Sequence, residues 1–175
     1  MNEVIKAIKE RRSIKQYKPD MVPKEDINKI IEAGLYAASG RNQQSAIVVA
    51  VTNKEVRDKL SKLNAQVAGF PEDMDPFYGA PVVLIVLADK NWPTHVEDGS
   101  LVIGNMMLAA HSLGLGSRWI HRAKQEFETE EYQQLLKDLG VEGEYEGVGH
   151  CIIGYMDGEM PETPERKENR VFYIE

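Results

Sequence analysis

Eight consecutive residues decide the fold of this chain: Pro81-Val82-Val83-Leu84-Ile85-Val86-Leu87-Ala88. The run has the length of a β-strand and carries no polar side chain, which predicts a strand covered on both faces. A second aliphatic run, Ala46–Val51, leads us to expect another interior strand. Pro81–Ala88 is the longest nearly uninterrupted apolar stretch, whereas a membrane helix needs roughly 20 such residues. We therefore expect no membrane-spanning segment.

Helices and further strands surround these two runs and alternate with them only loosely. The longest apolar helix is predicted over Asp98–Leu115, whose small residues suit a central helix or a dimer interface. Strand-like Val171–Ile174 has no local partner and is able to pair with another chain. No crossover helix follows Met156, which favours an α+β sheet layered by helices. The other predicted elements are helices after Asn2, from Pro23 to Ala38, from a capping box at Thr52 and Glu55, and over Thr129–Leu139, with strands over Ser117–His121 and Val148–Tyr155.

Length, charge and cysteine content exclude several classes of protein. The chain has 175 residues, of which 42% are hydrophobic and 28% charged, so residues 1–175 are expected to form one globular domain. Its net charge of −7 argues against a nucleic-acid partner. The only cysteine, Cys151, and the charged start after Met1 predict a cytoplasmic protein without disulfides.

A cluster of cations near the start of the chain is a candidate anion site. Arg11, Arg12 and Lys15 flank the hydroxyl of Ser13 within five residues, and such a group is able to surround a doubly charged phosphate. Taken alone, a cluster of this kind is more often a solvated basic face. A second basic pair, Arg166-Lys167, lies in the tail and is equally ambiguous in isolation.

Two other groups of polar residues were considered as sites. The amide side chains in Ser39–Gln44 are able to act as both donors and acceptors of hydrogen bonds to a polar ring edge. The segment also suits a loop that ends a helix. The four histidines lack the spacing of metal ligands, and His150 and Cys151 are neighbours on a predicted strand, so they point to opposite faces. We therefore predict no metal site.

Six segments, taken in order, resemble the nitroreductase family of FMN-dependent oxidoreductases over almost the whole chain. Arg11–Tyr17 is similar to that family's R-R-S-x-R/K-x-F/Y signature, and Ala37–Gln44 to its A-P-S-x-x-N-x-Q loop. Each segment is weak evidence alone, but their order and spacing match the family. The other similar segments are Asp75–Pro81, Asp98–Ile120 with its terminal L-G-L-G-S-x-W-I, Ile152–Tyr155 and Pro164–Lys167.

The resemblance implies a central, mostly antiparallel or mixed sheet flanked by helices, with a C-terminal segment exchanged across a homodimer. It also implies FMN at the dimer interface and no catalytic side chain, because the chemistry is borne by the flavin. Lys15 is the one side chain expected to assist directly, by stabilising flavin N1. The residues implied in cofactor binding are Arg11, Arg12, Ser13, Arg166 and Lys167 at the phosphate, Lys15 and Asn64 at the pyrimidine edge, Asn42 and Gln44 beside the ribityl chain and ring, and Gly116, Ser117, Trp119 and Ile120 along the flavin.

The activity implied is hydride transfer from NADH or NADPH to FMN, followed by ping-pong reduction of a nitroaromatic, a quinone or a similar small acceptor. Alternatives are specialised flavin chemistry on the same scaffold, such as dehalogenation, flavin cleavage or dehydrogenation, and a non-catalytic flavin-binding protein. The chain departs from the family at Ala38, where proline is usual, and at Ser45-Ala46, where the family often has P-W. The helical excursion that covers the flavin in longer members is expected to be shortened to Gln66–Tyr78.

Overall fold

The computed structural model describes residues 1–175 as one four-stranded sheet surrounded by six α-helices. The strands are β1 (Ala46–Val51), β2 (Val82–Asp89), β3 (Gly116–Ile120) and β4 (Tyr145–Gly154). The helices are α1 (Glu3–Glu10), α2 (Lys24–Leu35), α3 (Lys54–Ala68), α4 (His95–Ser112), α5 (Ala123–Phe127) and α6 (Glu130–Asp138), with a short 3-10 turn at Gly40–Asn42. Every element except α5 lies where the sequence predicted one.

The four strands lie in the order β1-β2-β4-β3, and each neighbouring pair is antiparallel. Strand β2 is interior, and its residues from Val82 to Ala88 have no exposed surface. Helices cover both faces of this sheet, as the unbroken apolarity of β2 requires. The prediction of an α+β fold is confirmed.

Alternate side chains of β2 belong to two separate hydrophobic clusters. Val83 and Ile85 pack on the face covered by α3, α5 and α6. Leu84 and Val86 pack on the opposite face, against α2 and α4. The sheet is thus the middle of three layers, and β2 supplies side chains to both halves of the core.

Helix α4 lies close to the sheet and to α2 because glycines stand at the contacts. A Cβ on Gly99 would lie 2.6 Å from Val148 on β4, and a Cβ on Gly34 of α2 would lie 2.5 Å from Met106. Neither position has room for a side chain. No helix in the structure is both long and apolar enough to cross a membrane.

Strand β1 differs from the prediction of an interior strand. It pairs only with β2, so its other edge has no partner in the chain. Its side chains from Ala46 to Val49 are half-buried, and Ala50 is exposed. An aliphatic run indicates that a strand is shielded from water. It does not indicate whether the residues that shield it all belong to the same chain.

The tail and two helix boundaries also differ from expectation. Residues 171–174 form no strand within the chain, and Phe172 is 85% exposed. Helix α3 is capped by Asn53, whose side chain accepts from the Val56 N–H at 3.1 Å, rather than by a box starting at Thr52. Helix α2 ends at Leu35, three residues earlier than predicted. Helix α5 was missed because five residues are too few to show helical periodicity.

The segment after α3 folds back over the far end of β3. Helix α3 ends at Ala68 and is capped by Gly69, whose φ of 68° is the left-handed conformation that glycine adopts easily. Two cation–aromatic contacts hold the segment that follows: the Arg122 guanidinium lies 5.1 Å from the Phe70 ring, and that of Arg118 lies 4.9 Å from the Tyr78 ring. The predicted excursion, Gln66–Tyr78, is therefore anchored to β3 and to the residues just after it.

Replacing Gly147 by alanine tests the packing of α5 on β4. A Cβ at this position would lie 2.2 Å from the backbone oxygen of Ala123, which cannot move without shifting the start of α5. We expect Gly147→Ala to lower the free energy of unfolding by about 3 kcal/mol, near the upper end for overpacking. Chemical denaturation followed by circular dichroism measures this change, and an unaltered unfolding midpoint would contradict the packing described.

Candidate functional site

The predicted phosphate cluster runs beside the start of β3. The Ile14 N–H donates to the Ser117 carbonyl at 3.1 Å, and Ser13 forms a parallel bridge with Ser117. Gly116 permits this approach, because a Cβ there would lie 2.9 Å from the Ile14 side chain. The fold thus brings Arg11–Lys15 next to the segment Gly116–Ile120, two regions that are about 100 residues apart in sequence.

Arg11 and Arg12 present buried donors that have no protein acceptor. Arg12 is 9% exposed, and its Nη1 donates to the carbonyls of Lys9 and Arg11, each at 2.7 Å. Its Nε and the Nη1 of Arg11 are buried without a hydrogen-bond partner. Neither arginine nor the exposed Lys15 forms an ion pair with a carboxylate. A buried donor left unpaired costs about 1–3 kcal/mol, so these groups favour an anion at this place.

The C-terminal tail reaches the same cluster. The Arg12 guanidinium contacts the hydroxyl of Thr163 through Nη2. Arg166 and Lys167 follow three and four residues later and are exposed to solvent in this chain. Three residues span at most about 11 Å, so the structure brings the tail's basic pair into the neighbourhood of Arg12.

The side chains of β3 pack into the fold rather than outward. Ser117 is buried, and its hydroxyl donates to the Met107 carbonyl of α4 at 3.3 Å. Trp119 packs over Gly149, where a Cβ would lie 2.8 Å from the indole ring. Ile120 is 5% exposed. The backbone of β3, more than its side chains, is therefore available to a ligand lying along this strand.

The loop that carries Asn42 and Gln44 has an unusual backbone. Arg41, Asn42 and Gln44 have φ values of 53°, 55° and 49°, a left-handed region that non-glycine residues seldom occupy. The Gln44 N–H donates to the Ser39 hydroxyl at 2.9 Å. Both amide side chains are exposed and line a groove of about 610 Å³ beside α2. The loop is thus held in a shape that presents two amides to solvent.

Asp98, near the start of α4, holds this loop in place. Its carboxylate accepts the Gly40 N–H at 2.9 Å, the Ser45 hydroxyl at 2.7 Å and the Thr94 hydroxyl at 3.3 Å. Burial alone raises the pKa of Asp98, but these hydrogen bonds outweigh it, and the pKa lies below the ordinary value for aspartate. The side chain therefore stays ionised at neutral pH and fixes the loop from inside the protein.

Helix α4 separates the two halves of the predicted site. Asp98, which anchors the loop of Asn42 and Gln44, lies near its start, whereas Met107, which contacts Ser117, lies nine residues later. At about 1.5 Å per residue, these contacts are about 14 Å apart along the helix. Within one chain, the structure does not bring the amides of the loop to the cations near Ser117.

Asn64 also lies apart from the cations. It has no exposed surface, and its Nδ2 donates to the His121 carbonyl at 2.9 Å and to Glu126 Oε1 at 2.5 Å. Its Oδ1 accepts from Arg122 Nε at 3.1 Å. All of its polar atoms are thus engaged inside the protein, under the segment that follows β3, rather than presented to a pyrimidine edge.

Two buried residues in this region, Glu126 and His150, were not predicted as part of any site. His150 Nε2 lies 2.6 Å from Glu126 Oε2, and both side chains have no exposed surface. His150 and Cys151 face opposite sides of β4, as predicted. Burial raises the pKa of Cys151 to about 12, although Arg11 opposes the rise, so the thiol is protonated at neutral pH. No sequence pattern marks Glu126, because its partners come from distant segments.

Replacing Asp98 by asparagine tests its role as the anchor of the loop. Because Asp98→Asn leaves buried donors without an acceptor, it should lower the free energy of unfolding at pH 7 by about 1–3 kcal/mol. A carboxylate whose pKa is lowered on folding stabilises the protein above its unfolded pKa, near 3.9. That contribution is lost as the pH falls through the lower folded-state value.

The difference between wild type and Asp98→Asn should therefore be constant from pH 5 to 7 and shrink below about pH 4. Urea unfolding across this pH range measures it. Asp20→Asn, at an exposed aspartate with no hydrogen bond to its side chain, is the control and should change nothing. A difference that persists unchanged at pH 3 would contradict the assignment.

Comparison with known proteins places these features in a family. The model of the nitroreductase family matches residues 8–155. The crystal structure of a nitroreductase with bound FMN from Bacteroides fragilis is 30% identical, covers 100% of both chains and superposes with a TM-score of 0.88. A similar structure with bound FMN from Desulfitobacterium hafniense is 27% identical, covers 100% of both chains and has a TM-score of 0.85.

Among curated relatives, the FMN reductase [NAD(P)H] of Bacillus subtilis is 33% identical over 139 residues, which are 67% of this chain and 53% of the relative. A Methanothermobacter thermautotrophicus protein, provisionally named NADH dehydrogenase/NAD(P)H nitroreductase, is 35% identical over 124 residues. That match spans 67% of this chain and 60% of the relative's length. The family match over residues 8–155 confirms the resemblance carried by the first five motifs, the sixth lying beyond it, and the chain belongs to the nitroreductase family.

Proposed function

We propose that this chain is an NAD(P)H-dependent FMN oxidoreductase that reduces nitroaromatic compounds, quinones or similar small acceptors. The observation that carries the proposal is the pair of buried, unpaired donors on Arg11 and Arg12 beside Ser13. Family membership supports it, as do the FMN in the Bacteroides fragilis structure and the name of the Bacillus subtilis relative. On this proposal, residues 1–175 act as one FMN-binding domain.

The donors near the start of β3 suit the phosphate of FMN. Arg11, Arg12 and the Ser13 hydroxyl provide cationic and neutral donors at one place, and no carboxylate neutralises them. Arg166 and Lys167 close this site from the tail, which the contact between Arg12 and Thr163 brings near. A phosphate held there would replace the missing acceptors of the buried guanidinium groups.

The remaining residues of this region would orient the flavin ring. When bound, FMN supplies the redox chemistry, accepting a hydride from NAD(P)H and passing electrons to the second substrate. Lys15 is exposed and without an ion-pair partner, and its charge would stabilise negative charge near flavin N1. The backbone of Gly116–Ile120 would form the wall along the ring. Both substrates would use the open face in turn, which gives ping-pong kinetics.

The site is completed by a second copy of the chain. The loop of Asn42 and Gln44 is anchored at Asp98, about 14 Å along α4 from the Met107 contact beside the phosphate cluster, and neither amide contacts the cations of its own chain. We assign these amides to the flavin held by the partner subunit. The open edge of β1 and the exposed strand-like residues 171–174 support this dimer, since an unpaired edge strand readily accepts another strand.

The first test is the colour and activity of the purified protein. We expect a yellow protein that contains FMN and oxidises NADH or NADPH in the presence of nitrofurazone or menadione. A yellow protein that never bleaches with either nicotinamide would contradict the enzymatic proposal and favour a flavin-binding protein. A colourless protein that cannot be reconstituted with FMN would contradict every proposal in which this chain binds a flavin.

Substitution of the cations tests the phosphate assignment within the same experiment. Arg11→Ala with Arg166→Ala should weaken FMN binding at least about 100-fold, because each lost charge-assisted hydrogen bond costs about 1.5–3 kcal/mol. Riboflavin, which has no phosphate, should bind the variant and the wild type equally. Lys59→Ala with Lys62→Ala on α3 removes the same charge elsewhere and is the control. Equal loss of FMN and riboflavin would refute the assignment.

Deletion of residues 171–175 tests the exchanged tail. If residues 171–174 add a strand to the β1 edge of the partner subunit, the shortened chain should dissociate at concentrations where the full chain is a dimer. Analytical ultracentrifugation over a dilution series measures this change. Deletion of Glu175 alone should have no effect. A full chain that sediments as a monomer would contradict the shared site.

A further inference from the structure

Three fully buried polar side chains from distant segments meet beneath the end of β3. Asn64 comes from α3, Glu126 from α5 and His150 from β4, and none has any exposed surface. Glu126 Oε1 accepts from Asn64 at 2.5 Å, while Glu126 Oε2 lies 2.6 Å from His150 Nε2. We call these three residues the buried triad. Burying so many polar groups is costly unless each has a partner, and here each one does.

The hydrogen-bond partners of the triad fix the Nδ1 proton of His150 and the orientation of the Asn64 amide. His150 Nδ1 faces the Ile120 carbonyl at 3.1 Å, which can only accept, so Nδ1 carries a proton. The Asn64 amide faces two acceptors with Nδ2 and the Arg122 Nε–H with Oδ1. A flipped amide would lose all three hydrogen bonds. The triad is therefore a rigid unit and not an adaptable one.

This unit holds two consecutive carbonyls toward the interior. His150 binds the carbonyl of Ile120, and Asn64 binds that of His121. Because a trans peptide is planar, its N–H points opposite to its carbonyl. The N–H groups of His121 and Arg122 therefore point away from the triad. Neither one donates to a backbone or side-chain acceptor in the protein.

The backbone between β3 and α5 has the shape of a donor site. Successive carbonyls of a regular strand alternate in direction, so two that point the same way require an irregular residue. His121, which joins the two peptide units, must be that residue, and Arg122 after it also leaves the strand conformation, with a φ of 80° in the left-handed region. Adjacent N–H groups that converge in this way form a concavity that attracts an electron-rich acceptor. The structure thus has a two-donor site made of backbone alone.

These donors lie at the opposite end of β3 from the phosphate cluster. Ser117 is bridged to Ser13 at the start of the strand, and His121 follows it by four residues. At about 3.3 Å per residue, the two ends are about 13 Å apart. A ligand with a phosphate at one end and an acceptor-bearing ring at the other would meet both.

We propose that Asn64, Glu126 and His150 are positioning residues that aim the N–H groups of His121 and Arg122 at an acceptor edge of the flavin ring. The inference rests on the proposed function, because it takes FMN as the ligand. In this proposal Asn64 orients the backbone that contacts the cofactor, whereas the family resemblance implied that Asn64 contacts the cofactor directly. Glu126 and His150 act through Asn64 and the Ile120 carbonyl.

Hydrogen–deuterium exchange of the wild-type protein is the direct test. Without FMN, the amides of His121 and Arg122 should exchange quickly, since they lack acceptors. Saturating FMN or riboflavin should protect both amides, whereas inorganic phosphate should protect neither. Amides that stay unprotected in the complex with FMN would overturn the inference while leaving the proposed function intact. A wild-type chain that binds no flavin would overturn both.

Variants of the triad test the positioning role. Asn64→Leu releases the His121 carbonyl, and Glu126→Gln removes the shared acceptor. Each should weaken riboflavin binding about 10-fold, as expected for the loss of one or two neutral hydrogen bonds, with unchanged affinity for inorganic phosphate. The midpoint potential of bound FMN should become more negative, because donors to the ring stabilise its electron-rich reduced form.

A matched control separates positioning from loss of stability. Ile30 on α2 has no exposed surface and packs in the cluster on the opposite face of the sheet from α5, away from the segment after β3. Ile30→Val should lower the melting temperature without moving the flavin potential. Triad variants that lower the melting temperature but keep the wild-type potential and riboflavin affinity would show a merely structural role and overturn the proposal.

Discussion

The complete burial of β2 is the constraint on which the rest of the fold depends. Every side chain from Val82 to Ala88 is inaccessible to water, so each face of the sheet must be covered by helices. Helices α2 and α4 cover one face, and α3, α5 and α6 cover the other. The site follows from this arrangement, because β3 lies at one edge of the same sheet and its free side is lined by Ser13 and Ile14.

Helix α4 links the core to the candidate site. Its glycine contact with β4 fixes it close to the sheet, and its two ends then hold different parts of the binding machinery. Near its start, Asp98 fixes the loop with the exposed amides. Near its end, Met107 accepts a hydrogen bond from Ser117 beside the cations. Helix α4 holds these two groups about 14 Å apart, and the proposal therefore assigns the amides and the cations that face one flavin to different subunits.

Much of the fold was predictable from local patterns. Uninterrupted apolar runs marked β1 and β2, and helical periodicity marked the longer helices, because burial leaves a direct trace in the order of residues. The candidate sites at Arg11 to Ser13 and at Gly116 to Ile120 were predicted through motifs. The place of β1 at the sheet edge was not predictable from its apolar sequence. A strand covered by a partner subunit needs the same apolar residues as a strand covered by its own chain. Helix α5 was too short to leave any trace.

The sequence by itself determined the α+β class, the composition of the core and the residue types available to bind a phosphate and a flavin. Only the tertiary structure decided which of these residues meet. It brought Thr163 to Arg12, kept Asn42 away from Ser117 and enclosed Asn64 with Glu126 and His150. The reason is that a hydrogen bond between residues far apart in the chain depends on their positions in space, which spacing along the sequence does not encode.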